Sequence, residues 1–397
     1  MRDWARANSF ALRLAAFYVV VFLIIGCYMP FLPVWLRSRG LSDWQIAFIY
    51  AMPVIMRPLF TPAMSFAADH SGRPVVFLKV LAWGSLASCL ALPFAAGFPA
   101  IFAAFFLFTL FWMSIVPLTE AVALKGARNG NGEYGRIRLW GSISFVVMTL
   151  AGGGAVGLWG PPAALWLFIG AAASVVVVAH WLPDGGAGDR EAAAAAPHRI
   201  KAADFLQLVR SADLWLFFAA TSAVQSAHSV YYIFGTLHWE SAGISPMTIG
   251  MLWATGVVAE IALFAYAGHV TRHIGAVQLI LLGGVAAVLR WTLTAIDPPL
   301  TALFPLQMLH GLTYGAAHIG AMQFMRAAVP ERLAMSMQGL YASVTAGIVM
   351  GLVSLATGPL YRSLDGYAYF VMAGLGGIGV AASLMLLRRW RGGSLVF

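Results

Sequence analysis

Charge is scarce in this chain of 397 residues: Asp, Glu, Lys and Arg together make up 10% of it. Soluble domains carry about 25% charged residues, so a chain that meets water over its whole surface is excluded. Cysteine is scarcer still. Cys27 and Cys89 lie inside apolar runs, which excludes a disulfide framework or a thiolate metal cluster and leaves two inert core thiols. There is no Walker A lysine motif, no HExxH and no paired CxxC, and the nine histidines are scattered. Direct ATP-driven pumping, a metalloprotease and a polytopic membrane enzyme therefore lack their motifs, and neither a metal nor an organic cofactor is expected. Gly152 to Gly157 fits GxGxxG, but it sits inside an apolar run with no strand before it, so it reads as close helix packing.

What the chain has instead is apolar sequence, at 61% of its residues. Runs of about 20 residues, the length of a helix that crosses hydrocarbon, recur throughout. The pattern predicts an all-α integral membrane protein of twelve transmembrane helices in two pseudo-symmetric six-helix bundles, residues 1–182 and 214–397. The polar break 183–213, rich in Gly, Ala and Pro, reads as a cytoplasmic linker without chemistry of its own. The first run, Leu12 to Trp35, exceeds a signal-peptide core and lacks a cleavage pattern, so it is expected to be retained. The formal charge of +9 raises nucleic acid as a partner. Lys and Arg, however, gather at the loops that place both termini in the cytoplasm, as the positive-inside bias requires, so the expected surroundings are a bilayer.

The two halves are related. Ala51 to Pro74 recurs in altered form as Ala254 to Val277, with Arg57 falling on Glu260 and Gly72 on Gly275. Gly40, Leu41, Ser42 and Ile46 answer Gly243, Ile244, Ser245 and Ile249, and both serines suit helix N-caps. A duplicated membrane unit with an ionisable side chain inside each copy is the pattern of a transporter built from repeats. Alternating access by a monomer around a central cavity, with a small molecule as cargo, follows from that reading.

Ionisable residues within apolar segments mark candidate sites, because a charge in the bilayer is costly. Glu120 and Arg138 are equidistant from Asn129, so an antiparallel hairpin brings them to equal depth, either as a substrate or proton site or as a structural ion pair. Glu260 and Arg290 flank Ile274 in the same way, and His310 reaches a similar depth after the turn near Pro298. Thr313, Tyr314, Ala317 and His318 extend a polar face from His310, while Gln225, His228 and Tyr232 make another; both His228 and His318 also suit a packing role. Arg57 has no evident partner by spacing, and reads as a cation bonding helix-end carbonyls or as a carboxylate ligand.

The loop Asp69, His70, Ser71, Gly72, Arg73 is a tight charged hairpin between two spans. It resembles the loop signature of the major facilitator superfamily, with Asp69, Gly72 and Arg73 matching and Ser65 standing where the signature has glycine. The resemblance implies that these residues govern the conformational switch. The runs YMPFLPVWLRSRGLS, YGRIRLWGS, VVAE at 257–260, AVLRW at 287–291 and HIGAM at 318–322 are similar to the 3-phenylpropionate permease group. That resemblance implies proton-linked symport of aromatic monocarboxylates across a bacterial inner membrane. Glu260, Arg290 and His310 also match the second-half glutamate, arginine and histidine of galactoside permeases, and Glu120 with Arg138 their sugar-site pair. Those permeases carry a proton-coupling glutamate three residues after the histidine; Thr313 occupies that position here.

These readings converge on an assignment. Glu120, Arg138, Arg290, His228 and Tyr232 are expected at the substrate, and Glu260, His310 and His318 at the coupling proton. The rivals are a proton-coupled sugar or nucleoside symporter and a drug–proton antiporter. The antiporter's Gly-Pro pattern in the fifth helix is missing, since Gly160-Pro161 lies past that helix's end.

Overall fold

A computed structural model describes residues 2–71, 73–128, 134–182 and 208–395. Among them the chain is helical, without strands. Its first part holds α1 (Arg2–Ser38), α2 (Asp43–Ser71), α3 (Pro74–Ala91), α4 (Gly97–Arg128), α5 (Tyr134–Trp159) and α6 (Pro162–Trp181). The second begins with α7 (Ala212–Ser226), α8 (Ser229–Ser241), α9 (Pro246–Ala265), α10 (Ala267–His273) and α11 (Ala276–Thr294). It continues through α12 (Leu300–Met308), α13 (Ala317–Ala328), α14 (Ala334–Ser343), α15 (Met350–Leu364) and α16 (Ala368–Arg389). The linker residues 183–207 lie outside the described residues.

Local chemistry sets the ends of these helices. Proline opens α3 and α6, where its missing N–H costs nothing. The duplicated Gly40 and Gly243 each take φ +80°, a conformation that a side chain resists. Each closes a helix in the same way. Gly40 N–H donates to Arg37 O at 2.9 Å and Leu41 N–H to Leu36 O at 3.3 Å; Gly243 donates to Glu240 O at 3.0 Å and Ile244 to Trp239 O at 2.9 Å. This is a Schellman stop, repeated. Ser42 and Ser245 then cap the next helices, accepting from Gln45 N–H at 3.4 Å and Thr248 N–H at 3.3 Å. The repeat read from the sequence is thus a repeat of hydrogen bonds.

Nine stretches are long and apolar enough to cross a membrane among the described residues, where twelve were expected. The difference has a physical cause. A turn at Ala227 and His228 splits the segment between Ala212 and Ser241, and a π-helical turn, Gly311–Ala316, interrupts the one between Leu300 and Ala328. Ser336–Arg389 counts as one stretch although a 3-10 turn, Asp365–Tyr367, bends it. Large apolar side chains face outward along the spans, among them Phe66, Leu158 and Trp159, each more than two-thirds exposed. Outward apolar surface on this scale is tolerated only in lipid.

The chain forms two compact units. One takes its described residues from Met1–Ile49, Leu59–Ala196 and Trp239–Ala254, the other from Tyr50–Pro58, Pro197–His238 and Thr255–Phe397. In the first, α1 packs along α5 and α6, and α3 along α4. Phe108 meets Phe168 edge-on at 4.7 Å in its core. The glycine run of α5 packs closely, since a Cβ on Gly153 would stand 2.4 Å from Pro246 O. In the second unit α16 lies against α7 and α11, over a core in which Phe217 stacks on Phe324 at 4.4 Å.

Candidate functional site

The second unit buries a cation. Arg290, in α11, is 0% exposed, and burying a charge is costly unless its donors are satisfied. Its Nη2 donates to Gln307 Oε1 at 2.7 Å, and its Nη1 to Thr313 Oγ1 at 3.1 Å and His310 Nδ1 at 3.2 Å. The rings of Trp291 and Tyr231 lie 4.4 and 4.9 Å from the guanidinium carbon, a cation–π cage of two aromatic faces.

Donor rules orient the network. A guanidinium only donates, so His310 Nδ1 accepts from Arg290. The remaining ring nitrogen, Nε2, stands 3.5 Å from Glu260 Oε2. With Nδ1 accepting, Nε2 carries the hydrogen on the side of the ring nearer the carboxylate, so a neutral imidazole separates Arg290 from Glu260. On the other side, the Gln225 carbonyl only accepts, so His228 donates to it from Nδ1 at 3.1 Å. Thr313 Oγ1, already an acceptor from Arg290, then donates to His228 Nε2 at 2.9 Å. The hydrogen bonds run in one direction, from Arg290 through Thr313 and His228 to the backbone at the break between α7 and α8.

The helices are shaped to deliver these groups. His310 precedes the π turn Gly311–Ala316, the irregularity most often found at functional positions in helices. The turn leaves His310 stacked on Tyr314 at 5.5 Å and Tyr314 on His318 at 6.0 Å, with Thr313 buried toward Arg290. Tyr232 stacks on His228 at 5.3 Å. His318 is half-buried, and its ring lies edge-on to Phe264 at 6.2 Å.

In the first unit Arg138 Nε stands 3.4 Å from Glu120 Oε1, and the side chains are 31% and 35% exposed. Phe22 lies 4.2 Å beneath the guanidinium carbon and Tyr18 5.6 Å away. Arg57 is half-buried in α2. Of the loop residues, Asp69 lies in the last turn of α2, Arg73 stands exposed before α3, and Gly72 lies outside the described residues.

Sequence reasoning missed Gln307 and Trp291, while Tyr231 was legible as a candidate aromatic wall. Gln307 lies three residues before His310, a spacing that faces the same side of a helix, and Trp291 adjoins Arg290, so both signals were present. It also missed His238, which joins Asp297 Oδ1 at 2.7 Å through Nε2 and Tyr361 Oη at 3.2 Å through Nδ1.

The chain has relatives of known description. Residues 11–372 match the MFS_1 like family. A protein of Escherichia coli K12 named probable 3-phenylpropionic acid transporter is 29% identical over 364 residues, 91% of this chain and 93% of the other. A maltose permease of Geobacillus stearothermophilus is also 29% identical, over 94% of each chain. Among solved structures, the nucleoside transporter NupG aligns with a TM-score of 0.81 at 16% identity over 96% of this chain and all of that one. A D-xylose–proton symporter aligns at 0.69 and 13%, over 97% and 98%. With its apolar helices, its duplicated half and a buried ionisable cluster where a soluble active site would need open water, the chain belongs to the MFS_1-like family and is a secondary transporter of the major facilitator superfamily in a membrane.

Proposed function

We propose that the protein imports a small aromatic monocarboxylate, of the size of 3-phenylpropionate, together with a proton across a bacterial inner membrane. The observation that carries this reading is the order of groups Glu260, His310, Arg290. Protonation of His310 removes the lone pair that receives Arg290 at 3.2 Å, and protonation of Glu260 removes the charge that His310 faces at 3.5 Å. Either event changes what Arg290 and Thr313 must bond to. A proton is thereby coupled to rearrangement of α11 and of the π turn after His310, and Thr313 conducts the change to the α7–α8 break at His228.

The substrate carboxylate goes to Arg138 in this proposal. Arg290 has 0% exposure and its Nη donors already have neutral acceptors, whereas Arg138 is 31% exposed and its contact with Glu120 is long. A carboxylate ligand would offer Arg138 the bidentate geometry that Glu120 does not. Phe22 and Tyr18 beside that guanidinium suit an aromatic ring. The named Escherichia coli relative supports the substrate class. Twelve crossings, with both termini cytoplasmic, follow if the interrupted segments also cross and the Lys and Arg distribution sets orientation.

The test is uptake of labelled 3-phenylpropionate into proteoliposomes under an imposed pH gradient. Accumulation should follow the gradient, and Glu260→Gln should abolish accumulation while leaving substrate exchange. Accumulation indifferent to the gradient discards proton coupling. The maltose permease relative and the NupG-like fold favour a second reading, symport of a neutral sugar or nucleoside. Competition by neutral solutes but not by aromatic acids would select it.

A further inference from the structure

At the end of the second unit that carries the C-terminal arginines, the ends of α7 and α16 line an open groove of about 720 Å³. Arg210, Arg388 and Arg389 line one part of it, and Trp215, Leu216 and Met385 the rest. Trp215 and Met385 are each 53% exposed on helices whose outer surface is apolar, so they face acyl chains. The cavity therefore has a cationic mouth and a hydrocarbon-facing wall.

Among the described residues its charge is only partly compensated. Asp213 pairs with Arg389 at 2.8 Å, from Nε to Oδ1, which leaves two of the three guanidinium groups without that carboxylate. Ser211 caps α7 without a side-chain bond to it, so backbone N–H groups of its first turn add to the donors beside Arg210. Snorkelling arginines that merely reach for water would be expected to spread along the boundary. Here Arg210 stands just before α7 and Arg388 and Arg389 end α16, and all three line one open groove with an aromatic and aliphatic floor.

We propose that this cavity binds an anionic glycerophospholipid with two phosphates, a cardiolipin-type lipid, with Arg210 and Arg388 on the phosphates and the acyl chains along Trp215, Leu216 and Met385. Basic pockets between membrane helices suit such headgroups. Two phosphates match the two guanidinium groups left over by Asp213, and a guanidinium grips phosphate through two parallel N–H bonds. The lipid would clamp α7 to α16. Because α7 runs from this groove to the break that holds His228, the clamp would fix the end of that helix opposite the terminus of the Arg290 network.

The experiment is native mass spectrometry of the full chain, together with thermal unfolding in detergent, with cardiolipin, phosphatidylglycerol, phosphatidylethanolamine or inorganic phosphate added. One cardiolipin should be retained, and it should raise the unfolding temperature more than the other three additions. Arg210→Gln with Arg388→Gln should lower cardiolipin retention at least tenfold while the Asp213–Arg389 pair keeps the lipid-free unfolding temperature unchanged. Should that variant fail to fold, Arg210→Lys with Arg388→Lys keeps the charge and loses the paired bonds, and retention should fall severalfold. Unchanged retention in the folded variant overturns the proposal. So does equal stabilisation by phosphatidylglycerol or inorganic phosphate, the latter assigning the cavity to a free anion.

Discussion

Arg290 and Arg138 sit in comparable surroundings by sequence, each within an apolar helix of its own unit and each with a glutamate at similar depth, yet they are held in opposite ways. Arg290 is sealed, its Nη donors are taken by Gln307, Thr313 and His310, and its glutamate stands behind an imidazole. Arg138 is about one-third exposed and faces its glutamate directly but at 3.4 Å. The difference teaches that an intramembrane arginine serves either as a fixed post around which protonatable groups are arranged, or as a loosely held cation that can change partners. Charge pattern alone does not distinguish them; burial and the neutrality of the partners do.

The largest expected effect follows from removing the post. Arg290→Leu strips three acceptors of their donor and leaves Glu260 without the cation beyond His310. Each buried acceptor left without its donor costs roughly 1–3 kcal/mol, and three lose it at once, so the purified variant should unfold at a much lower temperature or fail to accumulate. Arg138→Leu should cost about 1 kcal/mol or less, since exposed pairs contribute little. Thermal unfolding of both in one detergent makes the measurement. Equal losses would erase the distinction between the two arginines.

Thr313 sharpens the same point at a smaller scale. Thr313→Val keeps the shape and removes the oxygen that receives Arg290 and serves His228. A buried polar group left without its partner costs about 1–3 kcal/mol, and Thr313→Ser should recover most of it. If valine were tolerated fully, the chain of bonds from Arg290 to the α7–α8 break would be incidental, and its proposed part in coupling would lose its physical basis.

How far the sequence carried these assignments depended on how local each signal was. Gly40 with Ser42 and Gly243 with Ser245 were legible because a Schellman stop and an N-cap are written within a few residues. Counting from the turns put Glu120 level with Arg138, and Glu260 level with Arg290, and the side chains of the first pair stand 3.4 Å apart. Counting could not show that His310 lies between Glu260 and Arg290. The polar face drawn from His310 through His318 assumed 3.6 residues per turn; across the π turn Gly311–Ala316 His310, Tyr314 and His318 still stack in a row, and Thr313 bonds Arg290. The interruptions themselves were not legible either: the break at Ala227 and His228 has no proline or glycine to announce it. There His228 is held by a local bond to Gln225 O and a tertiary one to Thr313, a pairing that no local pattern announces.

The smallest expected change in stability belongs to Glu120, and it is the most informative about exchange of partners. Glu120→Gln keeps the size of the side chain and an acceptor oxygen for Arg138 while removing the charge. Because the pair is about one-third exposed and its contact is long, the unfolding temperature should shift little, within about 1 kcal/mol. Transport should respond more than stability does. If Glu120 competes with the substrate carboxylate for Arg138, its neutralisation should lower the KM for an aromatic acid and leave Arg290-dependent stability untouched. If Glu120 instead receives hydroxyl groups of a neutral solute, the same substitution should raise KM for that solute. A single substitution measured against two labelled substrates thus separates a cation that awaits a carboxylate from one that only keeps its neighbour in place.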